Sequence, residues 1–172
     1  MKIFTFLLLL FSTFSSCKNN LVQTEKRAKS AEIPNKVRDF IHKTYPNHEK
    51  IKFYKEPEND TLYYEANFEQ EEDEYSLLFD KLGNLYETEI TLKFKELPAE
   101  IQQKIENYLK TNFIKYKIKK TQEVDLQGKL LYELAIKAKK TSENEFYEIY
   151  FDRQGNFIKI EIIKLNAIQS LY

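Results

Sequence analysis

Tyr75-Ser76-Leu77-Leu78-Phe79-Asp80-Lys81-Leu82-Gly83-Asn84-Leu85 returns later as Tyr147-Glu148-Ile149-Tyr150-Phe151-Asp152-Arg153-Gln154-Gly155-Asn156-Phe157. The shared pattern is Tyr-x-apolar-x-Phe-Asp-x-x-Gly-Asn-apolar. Its left half alternates as a half-buried strand does, and its right half is a turn. The Asp can accept backbone hydrogens, and the Gly supplies a positive φ that other residues resist. Apolar residues resume after the Asn, so the whole reads as a hairpin with a bulge. As turn formers, Asp80 and Asp152 have a structural task, which outweighs a calcium-ligand reading.

Working outward, Ile33-Pro34 recurs as Leu97-Pro98, and Tyr64-Glu65 recurs as Tyr132-Glu133. Repeats of this length mark a repeated structural unit. Each unit opens with a helix near its proline. Val37, Phe40, Ile41, Thr44 and Tyr45 share one helical stripe, as do Ile101, Ile105, Tyr108 and Leu109. Pro46 ends the first helix, and Asn112 ends the second. Four strands follow in each unit, over 50–56, 61–69, 74–80 and 84–94, then over 114–124, 129–139, 145–152 and 156–164. Leu62, Tyr64, Ala66 and Phe68 face the helix, with Tyr63, Glu65, Asn67 and Glu69 on the opposite, water-facing side. The fold class is therefore α+β. Two tandem helix-plus-four-stranded antiparallel units, 33–96 and 97–172 with a short C-terminal tail, are expected to join into one eight-stranded curved sheet. Joining also removes two exposed edges.

The helix-free face of that sheet is the natural docking surface. Alternation places Tyr54, Tyr63, Leu78, Leu131, Phe146 and Tyr150 on it. Tyr serves well at interfaces because a large apolar body carries a polar tip.

The chain start reads as an address. Met1 and Lys2 precede an apolar run from Ile3 to Phe14, after which the sequence turns polar at Lys18. That is the pattern of a secretory signal peptide over 1–16, too short to span a bilayer. Phe14-Ser15-Ser16-Cys17 resembles the lipobox of bacterial lipoproteins, with Phe14 where Leu is usual. The resemblance implies acylation of Cys17, the chain's one cysteine. Residues 17–32 then form the lipidated start and a flexible tether. Lys18-Asn19-Asn20-Leu21 lacks the acidic residues of surface-exported lipoproteins. The expected location is thus the outer membrane, facing the periplasm.

Together, the Ile/Leu-Pro start, the Tyr-Glu strand and the Phe-Asp-x-x-Gly-Asn turn resemble the PepSY-like lipoproteins of Bacteroidetes. That family is similar in architecture to the beta-lactamase inhibitor protein. The resemblance implies an exported, non-enzymatic domain that binds or inhibits another protein or peptide. It carries over no functional residue, because the shared positions are turn and core positions. A structural accessory of an envelope assembly and a small-ligand-binding lipoprotein are the alternatives.

Composition narrows the chemistry. The 172 residues carry 27 basic and 27 acidic side chains, which disfavours a nucleic-acid partner. Removing residues 1–16 takes away only Lys2 and leaves the chain one charge negative. One Cys and two His leave no zinc cluster. Three Gly leave no phosphate-cradling loop. No catalytic residue, metal or cofactor is expected, and the chain is expected to be monomeric. His42 and His48 read as surface residues. The run from Glu69 to Glu74 reads as a solvated turn, and Lys115, Lys117 and Lys119 as the wet face of a strand.

Overall fold

The computed structural model describes residues 26–58 and 61–163. The proposed signal peptide, Cys17, most of the tether and the C-terminal tail lie outside the described residues. Among the described residues, nine strands form one antiparallel sheet in simple chain order, from β1 to β9. They are β1 (Lys26–Ala28), β2 (Glu49–Glu58), β3 (Thr61–Gln70), β4 (Asp73–Phe79), β5 (Leu85–Thr91), β6 (Lys115–Leu126), β7 (Lys129–Lys139), β8 (Asn144–Asp152) and β9 (Phe157–Ile162). Helices α1 (Asn35–Thr44) and α2 (Ala99–Asn112) precede β2 and β6.

The count corrects the expected eight strands. The extra strand is β1, which adds to β2 through Lys26↔Lys55, Arg27↔Tyr54 and Ala28↔Phe53. It lies in the stretch read as tether, so the fold takes in Lys26–Ala28 and does not start at Ile33. Pairing to a neighbour's free edge, not local alternation, makes these three residues a strand.

The same local device opens both halves of the chain. A short 3-10 turn comes first, its Glu side chain accepting from a backbone N–H three residues earlier. Lys29 N donates to Glu32 at 2.8 Å, and Lys93 N donates to Glu96 at 2.9 Å. Pro34 and Pro98 then occupy the position just before each helix, both with φ of −53°. Their carbonyls accept the first helical hydrogen bonds, from Val37 and Gln102. Pro46 stops α1, since Tyr45 before it is driven out of the helical region to φ −124°.

Each helix buries one stripe against the same face of the sheet. Val37 and Ile41 pack with Phe53, Ala66, Phe68, Leu77 and Phe79. Ile101, Ile105 and Leu109 pack with Leu134, Ile136, Tyr147, Ile149 and Phe151. Phe79 and Phe151, the Phe of the two repeated motifs, are both fully buried.

The two turn motifs are near-copies. Asp80 Oδ1 accepts from the backbone of Leu82 and Asn84 at 2.8 and 2.9 Å. Asp152 Oδ1 accepts from Gln154 and Asn156 at 2.9 and 2.8 Å. Gly83 and Gly155 have φ of +75° and +77°. Each also lies against the start of its helix, where an added Cβ would meet Lys36 Cβ at 3.2 Å or Ile101 Cγ2 at 3.3 Å. Glycine thus serves the turn and the helix seat together. Gly128, at φ +87°, has open space around it. Gly83→Ala and Gly155→Ala should each lose about 1–3 kcal/mol in denaturant unfolding, and more than Gly128→Ala, because crowding adds to backbone strain. Equal losses at all three would show that the helix seat is not tight.

Candidate functional site

The cross-strand register fixes what the helix-free face carries. One row runs Tyr54–Glu65–Leu78–Glu87–Leu126 across β2 to β6. A second runs Lys52–Asn67–Ser76–Glu89–Val124–Leu131–Asp152. Toward the other end lie Thr91–Gln122–Glu133–Tyr150–Lys159 and Lys120–Ala135–Glu148–Glu161. Glutamates therefore concentrate where β5 meets β6 and its neighbours.

This centre is poorly hydrated. Glu133 is only 6% exposed and Gln122 3%, while Glu87, Glu89 and Glu148 are half-buried. Removing water from a carboxylate favours its neutral form, and nearby carboxylates push the same way. Burial, reinforced by Glu89, pushes Glu87 up to about 8. Burial and then Glu89 push Glu148 up to about 7. Glu133 is raised well above the usual range by burial and then by Glu89 and Glu148. Burial raises Glu89 as well, against the opposing pull of Lys120.

The hydrogen bonds fit a protonated cluster. Glu87 and Glu89 lie two residues apart on one face of one strand, close enough for each to shift the other. Gln122 Nε2 donates to Glu89. The Tyr150 hydroxyl donates to Glu133, and its phenol is raised by burial first and by those carboxylates second. Lys159 sits over the Tyr150 ring at 4.1 Å and pairs with Glu161 at 3.0 Å. Chemically, the centre is a desolvated group of carboxylates whose charged forms a cationic group would favour.

The six residues read as a docking face all lie on this side of the sheet. They form no single patch. Tyr54, Leu78 and Tyr63 lie on the β2–β4 half, where Tyr63 packs on Tyr86 at 5.4 Å. Tyr150 borders the glutamates, and Phe146 sits farther along β8 beside Lys137, 5.6 Å from its ring. Leu131 is only 5% exposed, so it supports the face rather than presenting a surface. Sequence reading missed Glu87, Glu89, Glu133, Glu148, Lys120 and Gln122. The signal was present in Glu87-x-Glu89, and in Tyr132-Glu133 and Tyr147-Glu148, where a Glu inside a strand opposes a core Tyr.

On the helix side, His42 and His48 are brought together, with ring centroids 4.9 Å apart. Lys115 and Lys117 are exposed as expected. The acidic run at Glu69 to Glu74 forms the β3–β4 hairpin, with Glu71 at φ +60°. Among the described residues, no group of three or more His, Cys, Asp or Glu is arranged to hold a metal ion. No described helix is long and apolar enough to cross a membrane.

A continuous antiparallel meander with two helices on one face defines an α+β fold that solved Bacteroides structures share. One is a DUF2874 family protein from Bacteroides ovatus, 16% identical, with a TM-score of 0.59 over 75% of this chain and 86% of its own. Another is a BLIP-like protein from Bacteroides fragilis, 17% identical, with a TM-score of 0.56 over 76% and 86%. A third, from Bacteroides eggerthii and provisionally assigned to the periplasm, is 17% identical, with a TM-score of 0.60 over 76% and 88%. No family model and no curated protein matches the sequence.

The raised carboxylates set the sign of the pH dependence. Between the ordinary value of 4.5 and their folded values, the folded chain holds protons that the unfolded chain has released. Stability is then full below about pH 4.5 and is lost as pH rises through about 7 to 8. The loss should amount to several kcal/mol, since each unit of separation is worth about 1.4 kcal/mol for each group. Glu133→Gln keeps an acceptor for Tyr150 and removes one titration. Urea unfolding at about pH 5 and about pH 8 should show a shallower loss for this variant and a gain at the higher pH. A pH-independent wild type would refute the protonated cluster.

Proposed function

We propose that this chain is a lipid-anchored, non-enzymatic protein of the bacterial cell envelope that docks another protein or peptide on its helix-free sheet face. On this reading it is a PepSY-like lipoprotein built of two tandem units. It is monomeric, uses no cofactor, and is held at the outer membrane, facing the periplasm, by acyl chains on Cys17. Several acyl chains anchor stably where one does not. The fold shared with a BLIP-like protein and with a protein provisionally assigned to the periplasm supports the location and the binding role.

The observation that carries the docking role is the helix-free face itself. Both helices pack on the other side. The free side combines half-buried Tyr54, Tyr63, Leu78, Phe146 and Tyr150 with a desolvated acidic centre. Aromatic anchors around a water-poor middle suit a binding surface. Inhibition would follow where the bound partner is an enzyme whose active site is covered.

Crosslinking in intact cells, followed by partner identification, tests this directly. One protein should be captured reproducibly, and capture should fall about tenfold in Tyr63→Ser/Tyr150→Ser, as expected for loss of two interface anchors. Unchanged capture by that variant sinks the sheet-face reading. Capture only of membrane machinery favours a structural accessory. For the anchor, Cys17→Ala should move the protein from the membrane to the soluble fraction; retention in the membrane would exclude lipidation there.

A further inference from the structure

His42 and His48 are the chain's two histidines, and the fold sets their rings side by side, with centroids 4.9 Å apart. They come from different elements. His42 stands in the last turn of α1, and His48 follows the reversal at Pro46. Both border a cleft of about 320 Å³ on the helix side, with Ala28, Ile51 and Phe53 as its apolar wall. The strand register turns Arg27 and Lys52 to the opposite face of the sheet. Arg38 is the cation that shares the cleft, and it is engaged by the carbonyls of Ser30 and Ile33 and by Asn35 Oδ1. Nothing in the repeated fold asks for a histidine pair here. Glu106 holds the place of His42 in α2, eight residues after its proline in each case, and pairs with Lys110 at 2.7 Å.

The pair is oriented for ligation. His48 Nδ1 lies 2.7 Å from the Tyr45 carbonyl. A carbonyl only accepts, so Nδ1 carries the proton and Nε2 of the neutral ring keeps its lone pair. A backbone carbonyl fixes the tautomer of metal-binding histidines in this way. The His48 backbone N–H donates to the same carbonyl at 3.2 Å, and its ring meets Phe68 edge-on, with centroids 5.9 Å apart. His42 is exposed, so its ring can turn toward an ion without disturbing the core. A metal–nitrogen bond of about 2.1 Å puts each ring centre roughly 3.2 Å from the ion. Two ring centres 4.9 Å apart at that reach subtend about 100° at the ion. That angle falls between the right angle of tetragonal sites and the tetrahedral one, so the rings already stand at ligand spacing.

We propose that His42 and His48 together bind one divalent transition-metal ion. Imidazole suits zinc, copper and nickel, whereas magnesium and calcium take oxygen ligands. Water fills the remaining positions, which leaves the ion open to a further ligand. The ion is a ligand of the chain and not a cofactor of docking, since the docking face is the other side of the sheet. The site rests on the histidine geometry alone and not on the sheet-face reading.

With only two histidines in the chain, imidazole C–H resonances report on each ligand separately. The protein titrated is residues 17–172 with Cys17→Ser and no affinity tag, so that no thiol competes. It keeps every described element, all of which lie between Lys26 and Ile162. Zinc chloride is added at fixed neutral pH, with magnesium chloride as the control. Both rings should shift together and saturate at one zinc per chain, and magnesium should leave them in place. His42→Ala should weaken the zinc response of His48 at least about tenfold, because the second ligand no longer comes with the first. The altered side chain is exposed, so without zinc the variant should keep the wild-type Tm, and zinc should raise Tm in the wild type alone. No zinc response, two rings following different curves, an equal effect of magnesium, or an unchanged His48 response in His42→Ala overturns the site.

Discussion

The structure turns on the pairing of β5 with β6. Five residue pairs, from Glu87↔Leu126 to Thr91↔Gln122, join a five-strand meander, β1 to β5, to a four-strand one, β6 to β9, each of which would otherwise end in an open edge. The helices cannot supply that join, since each packs within its own cluster. Backbone hydrogen bonds across the seam make one sheet, and one sheet makes one continuous helix-free face. The same pairing sets Glu87 and Glu89 beside Gln122 and Lys120, and through β6 near Glu133 and Glu148.

That arrangement is costly. Ionised carboxylates in a water-poor site lose hydration that one or two lysines do not restore. The groups respond by keeping protons, as the raised values of Glu87 and Glu148 express. An apolar centre of the same volume would hold the sheet as well or better. Under the docking proposal the acidic centre has a use. A cationic side chain arriving from a partner would displace protons and meet several carboxylates at once, while an acidic one would be repelled. Aromatic residues nearby supply apolar contact. Recognition would then rest on charge at the centre and shape around it.

Most of the fold was legible because it is written in short-range patterns. The Phe-Asp-x-x-Gly-Asn turns specify their own hydrogen bonds, as Asp80 and Asp152 show. Alternation in Leu62 to Glu69 placed each residue on its correct face. What escaped depends on neighbours distant in sequence. Strand β1 is Lys-Arg-Ala, with no pattern of its own, and exists through the edge of β2. Gly83 was read as a turn former, while its contact with α1 required knowing where the turn docks. The His42–His48 pair forms only because the chain reverses at Pro46. Glu87-x-Glu89, Tyr132-Glu133 and Tyr147-Glu148 marked single strand positions, but only the register of β5 to β8 brings those glutamates together. The docking residues were placed on the right face, yet Leu131 proved buried because its row crosses the crowded middle of the sheet.

The most direct measurement is a carboxyl-carbon NMR titration of the folded chain with glutamates assigned. Glu87 and Glu148 should show inflections near 8 and 7, with Glu89 raised and Glu133 well above the ordinary carboxylate value. If all four titrate in the ordinary carboxylate range near 4.5, the centre of the face is wet and ionised. The account of a desolvated, proton-holding seam would then be wrong.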